Sequence, residues 1–261
     1  MVQSPIDILR LAYERASAHL DEPLVHDADI QSRIEAICRN LRNRACARFL
    51  LATTLMKIYK PAIDIRKPYT EIGDVDAYSG RTFDEAYVTA FVVQHSLPCN
   101  STTAFLTPAF RNRNVTLTPD MVMMGRPEAL YRATLQLLTD IQSGFVTAET
   151  VLFETVRLLL VVRNEQKSQV ESLLAGLRHS GDIMALSSEA IVNVIQQHLE
   201  VAHSSRLPVL VVAAVYQAAE KHLGERLLPL MGHNAADEQT GSLGDLEITL
   251  VDDDRVVTFM R

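Results

Sequence analysis

The residues best suited to chemistry lie near the end of the chain, in Gly244-Asp245-Leu246-Glu247-Ile248. Alternate residues of an extended strand share a face, so Asp245 and Glu247 present two carboxylates together while Leu246, Ile248 and Leu250 turn the other way. Carboxylates paired in this way can hold Mg²⁺, which activates water and neutralises charge developing on a phosphate. Asp245 is the leading candidate for catalysis and metal ligation, with Glu247 or Glu238 as the second carboxylate. Gly244 leaves room for close approach of a substrate backbone. The plainer alternative is a pair of solvated carboxylates on an edge strand.

Other chemistries find no support. The chain has no GxxxxGK phosphate loop, GxGxxG, HExxH or GxSxG. Its eight histidines are scattered, and His198 and His203, five apart, are poorly spaced to share a metal. Cys38, Cys46 and Cys99 form no CxxC pair, which predicts three reduced, buried thiols in a reducing compartment. The formal charge of −7 argues against a general nucleic-acid coat but not against a metal-dependent nuclease, whose bound face alone must be basic.

That basic face has two sequence candidates. Between Gln31 and Pro68 nine basic residues, Arg39, Arg42, Arg66 and Lys67 among them, stand against Glu35 and Asp64 alone, a local excess of +7. Such a segment could contact phosphates, or it could be an ordinary solvated helix face. Arg81 and the tip Arg111-Asn112-Arg113-Asn114, together with Asn100, add side chains that can read base edges, Arg suiting guanine and Asn adenine, although a packed surface loop is as good a reading and asparagine in turns needs no function. Tyr69 and Tyr78 lie in the same polar stretch. Met121-Val-Met-Met124 reads as core filler.

The positioning elements are mainly helical. Ser4-Pro5 opens a helix to about Leu20, and spacing of apolar residues from Ile34 to Ala52 predicts one long helix from about Ile30 to Tyr59, ended by Pro61. Asp64–Gly80 is irregular and longer than structureless loops usually are, which marks it as a functional candidate, and Leu97–Asn114 is again irregular. Thr82-Phe-Asp-Glu85 suggests a capping box for a helix to about His95. Further helices are expected over Pro127–Gln142, Thr147–His179 (with a break near Asn164), Ser187–His203 and Leu207–His222, the last one buried. Alternation over Asp245–Val251, a turn at Asp252–Asp254 and a strand from Val256 form a β-hairpin. A three-residue turn would set Val251 opposite Arg255 and Asp245 opposite Arg261; a two-residue turn shifts the register by one. The expected class is therefore α+β, predominantly α-helical with a short C-terminal β-hairpin. Three regions follow: an N-terminal helical region at 1–62, a main helical body at 63–230, and the hairpin region at 231–261. No stretch of about 18 apolar residues suggests a membrane span.

The blocks RKPYTEIG (66–73), YSGRTFDEAYV (78–88), LPCNSTTAFLTPAFRNRN (97–114), LLLVVRNEQ (158–166), LPVLVVAAVYQAAEKHLGER (207–226) and HNAADEQTGSLGDLEI (233–248) together resemble the SacI-type family of type II restriction endonucleases. The likeness runs from about Ile63 to Asp254. It implies Mg²⁺-dependent cleavage of duplex DNA at a short palindrome by a homodimer, in a bacterial cytoplasm, with a cognate DNA methyltransferase as companion. The hairpin itself is similar to the first half of a PD-(D/E)xK nuclease core, in which the neighbouring strand ends in an acidic-x-Lys pair.

This chain departs from that pattern. After Asp254 it reads Arg255-Val-Val-Thr-Phe-Met-Arg261, with neither carboxylate nor lysine. A truncated coding sequence or one piece of a split protein would explain the ending, and either predicts impaired catalysis. The alternative function is a non-catalytic DNA-binding or protein-interaction relic of a nuclease.

Overall fold

Ser4 caps the first helix, α1 (Pro5–Ala18), by accepting a hydrogen bond from the Asp7 amide, and Pro5 fills the first turn where no amide donor is needed. Ile8, Leu9, Ala12 and Ala16 form its buried stripe. The computed structural model describes residues 3–179, 189, 192–193, 195–196, 206–228, 246–250 and 253–260. They fall into two compact units, Met1–Arg178 and His179–Arg261. Among the described residues no helix is long and apolar enough to cross a membrane.

In the first unit, Asp27 caps α2 (Ala28–Cys38) through the amides of Asp29 and Ile30. Helix α3 (Ala45–Tyr59) is buried all round from Ala45 to Met56 and forms the centre of the core. The single helix expected from Ile30 to Tyr59 is thus two. Apolar spacing continues across the gap, but Asn40 and Asn43 use their side chains to make a turn there. Asn40 Oδ1 accepts from the Asn43 amide, and Asn43 Nδ2 donates to the Arg126 carbonyl and the Tyr131 hydroxyl. Short polar side chains that bond nearby backbone compete with the helix ladder, and here they win.

Helix α4 (Gly80–Phe83) starts at Ser79, three residues before the expected Thr82 cap. A π-turn (Asp84–Val88) joins it to α5 (Thr89–Gln94). Helix α6 (Glu128–Gln142) and the unbroken α7 (Ala148–His179) complete the unit. Asn164 does not interrupt α7. The methionine cluster is mixed: Met123 is buried, whereas Val122 and Met124 are exposed. All three cysteines are free and buried, as their spacing suggested.

In the second unit, α8 (Arg206–Leu223) ends at Gly224, whose φ of 66° favours glycine. A short strand, β1 (Glu225–Leu227), follows, and the hairpin strands are β2 (Leu246–Leu250) and β3 (Asp253–Met260). The sheet is antiparallel in the order β1-β2-β3, so β2 is central and β1 is an addition to the expected hairpin. Helix α8 is not buried: Leu210, Val215 and Leu223 are about half exposed, and Ala213 is buried. Its apolar residues run right round the helix, so burying one side leaves others exposed. The protein is thus mostly helical with a short antiparallel sheet near its C-terminus, the α+β class expected. The helix expected over Ser187–His203 falls largely outside the described residues.

Candidate nucleic-acid interface

The Asp64–Gly80 stretch folds back on itself. Asp64 N–H donates to the Asp76 carbonyl, Tyr78 N–H to Lys67 and Gly80 N–H to Pro68, each at 3.0–3.1 Å, while Gly73 turns the chain with φ 81°. Asp64 accepts from the Arg66 amide and, at 3.0 and 2.7 Å, from its guanidinium. Burial would raise the Asp64 carboxyl, but these bonds outweigh it and hold it below its ordinary range. Lys67 reaches Asp74 and Asp76 at 2.7 and 2.9 Å, and these bonds raise its ammonium above the usual lysine value.

Gly80 lies where this loop meets the second irregular segment. A Cβ there would sit 2.4 Å from the Phe105 ring and 2.9 Å from Pro68, so only glycine allows the approach. Phe105 belongs to a short 3₁₀ turn (Ala104–Leu106), and Phe110 beyond it stacks on Phe49 of α3 at 3.9 Å. The chain then climbs to Asn112 and Asn114, which have positive φ of 53° and 22°. Asparagine tolerates that region better than most residues.

Between the two loops lies a cleft of about 190 Å³, lined on one side by Thr70, Glu71 and Arg81 and on the other by Arg111, Asn112 and Asn114. Two sequence-distant candidate segments therefore converge. Arg81 is held by Glu85 at 2.8 Å. The Arg111 side chain is exposed and has no hydrogen-bond or ion-pair partner among the described residues. Arg113 turns the other way, its Nε donating to the Ala109 carbonyl at 2.9 Å and its Nη2 buried without a partner. Tyr69 and Tyr78 are core residues rather than base-stacking surfaces: their hydroxyls donate to the Phe110 and Ile65 carbonyls, and burial pushes both phenols well up.

Most of the basic excess is neutralised internally. Arg33 pairs with Asp140, Arg39 with Glu35 and Glu165, Arg66 with Asp64, and Lys67 with two aspartates. Arg42 is exposed and outside these pairs. Arg48 is wholly buried: it bonds Asp84, the Asn100 and Ser101 carbonyls, and the Thr89 hydroxyl. It ties α3 to the π-turn and to the base of the cleft's second loop. The sequence held one signal for it, a lone arginine in the apolar run Ala45–Met56, which needs a buried partner.

Glu247 lies on the central strand β2, half-buried. Leu246, Glu247 and Ile248 pair with Met260, Phe259 and Thr258, as the expected register has it, but the expected turn at Asp252–Asp254 is not there: Asp253 and Asp254 already belong to β3, and Asp253 faces Leu250. Nearer the turn the register slips at Thr249 and Leu250, which reverses the alternation: Thr249 is buried and Leu250 exposed. On the other side, the Leu228 amide donates to the Glu247 carbonyl. Neither neighbouring strand places a carboxylate or lysine directly opposite Glu247. Asp245 and Glu238 lie outside the described residues, and among those described no cluster of three metal-ligating side chains occurs. Comparison with protein-family models and with curated proteins finds no match for this chain.

Proposed function

We propose that this protein binds duplex DNA, as a protein of the type II restriction endonuclease kind. The observation that carries the proposal is the meeting at one cleft of Arg81, just past the first loop, with Arg111, Asn112 and Asn114 of the second, Arg111 being exposed and without a partner among the described residues. An arginine held by a carboxylate must surrender that bond to reach a phosphate, whereas Arg111 loses nothing but water. The cleft is far smaller than a duplex, so DNA lies across its mouth. Arg81, Arg111, Asn112 and Asn114 then face phosphates and base edges. Arg42 is the remaining candidate contact in the N-terminal segment.

Mg²⁺-dependent hydrolysis is the reaction the family likeness implies, drawing on Asp245 with Glu247 or Glu238. Binding is preferred to cleavage because the strand segment Arg255–Arg261 carries neither the carboxylate nor the lysine that the likeness calls for. The functional prediction is a protein that retains DNA without cutting it. The test is a mobility shift of a labelled duplex at low salt, beside incubation of supercoiled plasmid with Mg²⁺. Retention by the native protein, lost on combining Arg111→Ala with Asn112→Ala, supports the proposal. Absence of retention, or equal retention by the variant, overturns it, and Mg²⁺-dependent linearisation of the plasmid overturns the non-catalytic part alone.

A further inference from the structure

A second opening, of about 500 Å³, lies between α1 and the π-turn–α5 segment. It follows from side-chain size. Ala86 and Ala90, one helical turn apart, are exposed methyl groups facing the α1 stripe of Leu9, Tyr13 and Glu14, and they cannot reach across. The opening is a groove on the surface, and its volume falls within the size range of small-molecule sites.

Its walls are aromatic and held in place before any ligand arrives. The Tyr13 ring stacks on His95 at 3.8 Å and meets Phe91 edge-on at 6.5 Å, while Phe91 and His95 stand edge-to-face at 4.9 Å. Arg163 donates to the His95 carbonyl at 2.8 Å, fixing the end of α5. Burial, reinforced by Arg163, lowers the His95 imidazole below its ordinary range, so this wall is uncharged at neutral pH. The rim carries a charge bias. Arg10 is engaged by Asp7 at 2.9 Å, whereas exposed Glu14 has no hydrogen-bond or ion-pair partner among the described residues. Aromatic faces attract cations, and a free carboxylate adds to that preference.

We propose that this opening binds a flat aromatic small molecule carrying a positive charge, its ring against Tyr13 and its cation toward Glu14. Arg10 lines the same opening but is drawn toward Asp7, which leaves an anionic ligand facing Glu14. The site is independent of DNA binding.

Two probes of matched shape and opposite charge test it on the full chain: 9-aminoacridine, a cation at neutral pH, and acridine-9-carboxylate. Fluorescence titration should show saturable binding of one equivalent of the aminoacridine and about tenfold weaker binding of the carboxylate. Ala90→Phe fills the opening from an exposed position and should weaken the aminoacridine by at least about tenfold. Ala86→Leu provides an independent filling variant, and circular dichroism checks that each is folded. Glu14→Gln should bring the two probes to within about threefold of each other. Equal affinity for both probes in the native protein, or aminoacridine binding unchanged in both folded filling variants, overturns the assignment. So would absence of aminoacridine binding by the native protein, and a change of oligomeric state in Ala90→Phe would then give the opening to a second copy of the chain.

Discussion

Replacing Arg48 by methionine removes the most heavily bonded buried side chain in the first unit while keeping most of its volume. Both partners of the pair are fully buried, with side-chain exposures of 0% and 0%. The guanidinium donates to both Asp84 oxygens at 3.1 Å, to two carbonyls at 2.7 Å and to Thr89 at 2.6 Å. Burial raises the Asp84 carboxyl despite Arg48, so the carboxylate already bears a desolvation cost that the arginine offsets. Breaking such a pair from one side costs about 3–5 kcal/mol, since the other charge stays buried alone. Asn100 and Ser101 are near enough to solvent for water to replace their lost bonds, so nothing is added for them. At roughly 2–4 °C per kcal/mol for a unit of this size, Tm should fall by about 6–20 °C. Thermal and urea unfolding followed by circular dichroism measure it, with exposed Arg42→Met as a control expected within about 0.5 kcal/mol. Adding Asp84→Leu to Arg48→Met should restore much of the loss, because no unpaired charge remains. A loss below about 1 kcal/mol for the single variant would refute the reasoning.

Further outcomes follow from the same geometry. Asn43→Ala removes the side chain that bonds the Arg126 carbonyl and the Tyr131 hydroxyl, and should cost about 1–3 kcal/mol in urea unfolding; no change would show that the α2–α3 turn does not depend on it. The native state favours neutral His95, so its contribution is full above the ordinary histidine value of 6.5 and is lost as pH falls through it. The urea midpoint should drop between pH 7.5 and 5.5, and His95→Gln should flatten that part of the profile; an unchanged slope contradicts this. Burial lifts the Cys46 and Cys99 thiols to about 12, so a thiol reagent at pH 8 should label the folded protein far more slowly than the urea-unfolded chain, and equal rates would contradict their burial.

The helical class was legible because capping residues and apolar spacing are local signals. Ser4, Asp27 and Gly224 act where they stand in the sequence. The α2–α3 break was hidden because Asn43 makes it with Arg126 and Tyr131, more than eighty residues away. Charge misled for the same reason. A linear count sees Arg33 and Lys67 as an excess, but Asp140, Asp74 and Asp76 are brought to them by folding. The two irregular loops could be singled out by composition, whereas their convergence at Gly80 and Phe105 is a tertiary fact. The groove beside Tyr13 left no signal beyond two alanines at helical spacing. On the hairpin, alternation marked the strand, but Asp253 and Asp254, expected in the turn, belong to β3, and no local pattern foretold the slip at Thr249 that places them there.

The central claim, that the Arg81–Arg111 rim engages DNA, is tested most directly by the salt dependence of binding to a labelled duplex, followed by fluorescence anisotropy. Each phosphate contact contributes about −0.9 to the log–log slope. Arg111→Ala should make the slope shallower by about one such step and weaken all sequences together. Arg33→Ala, whose guanidinium is already held by Asp140, should leave the slope unchanged. A native protein that shows no binding at low salt, or an Arg111→Ala variant with the native slope and affinity, would contradict the account.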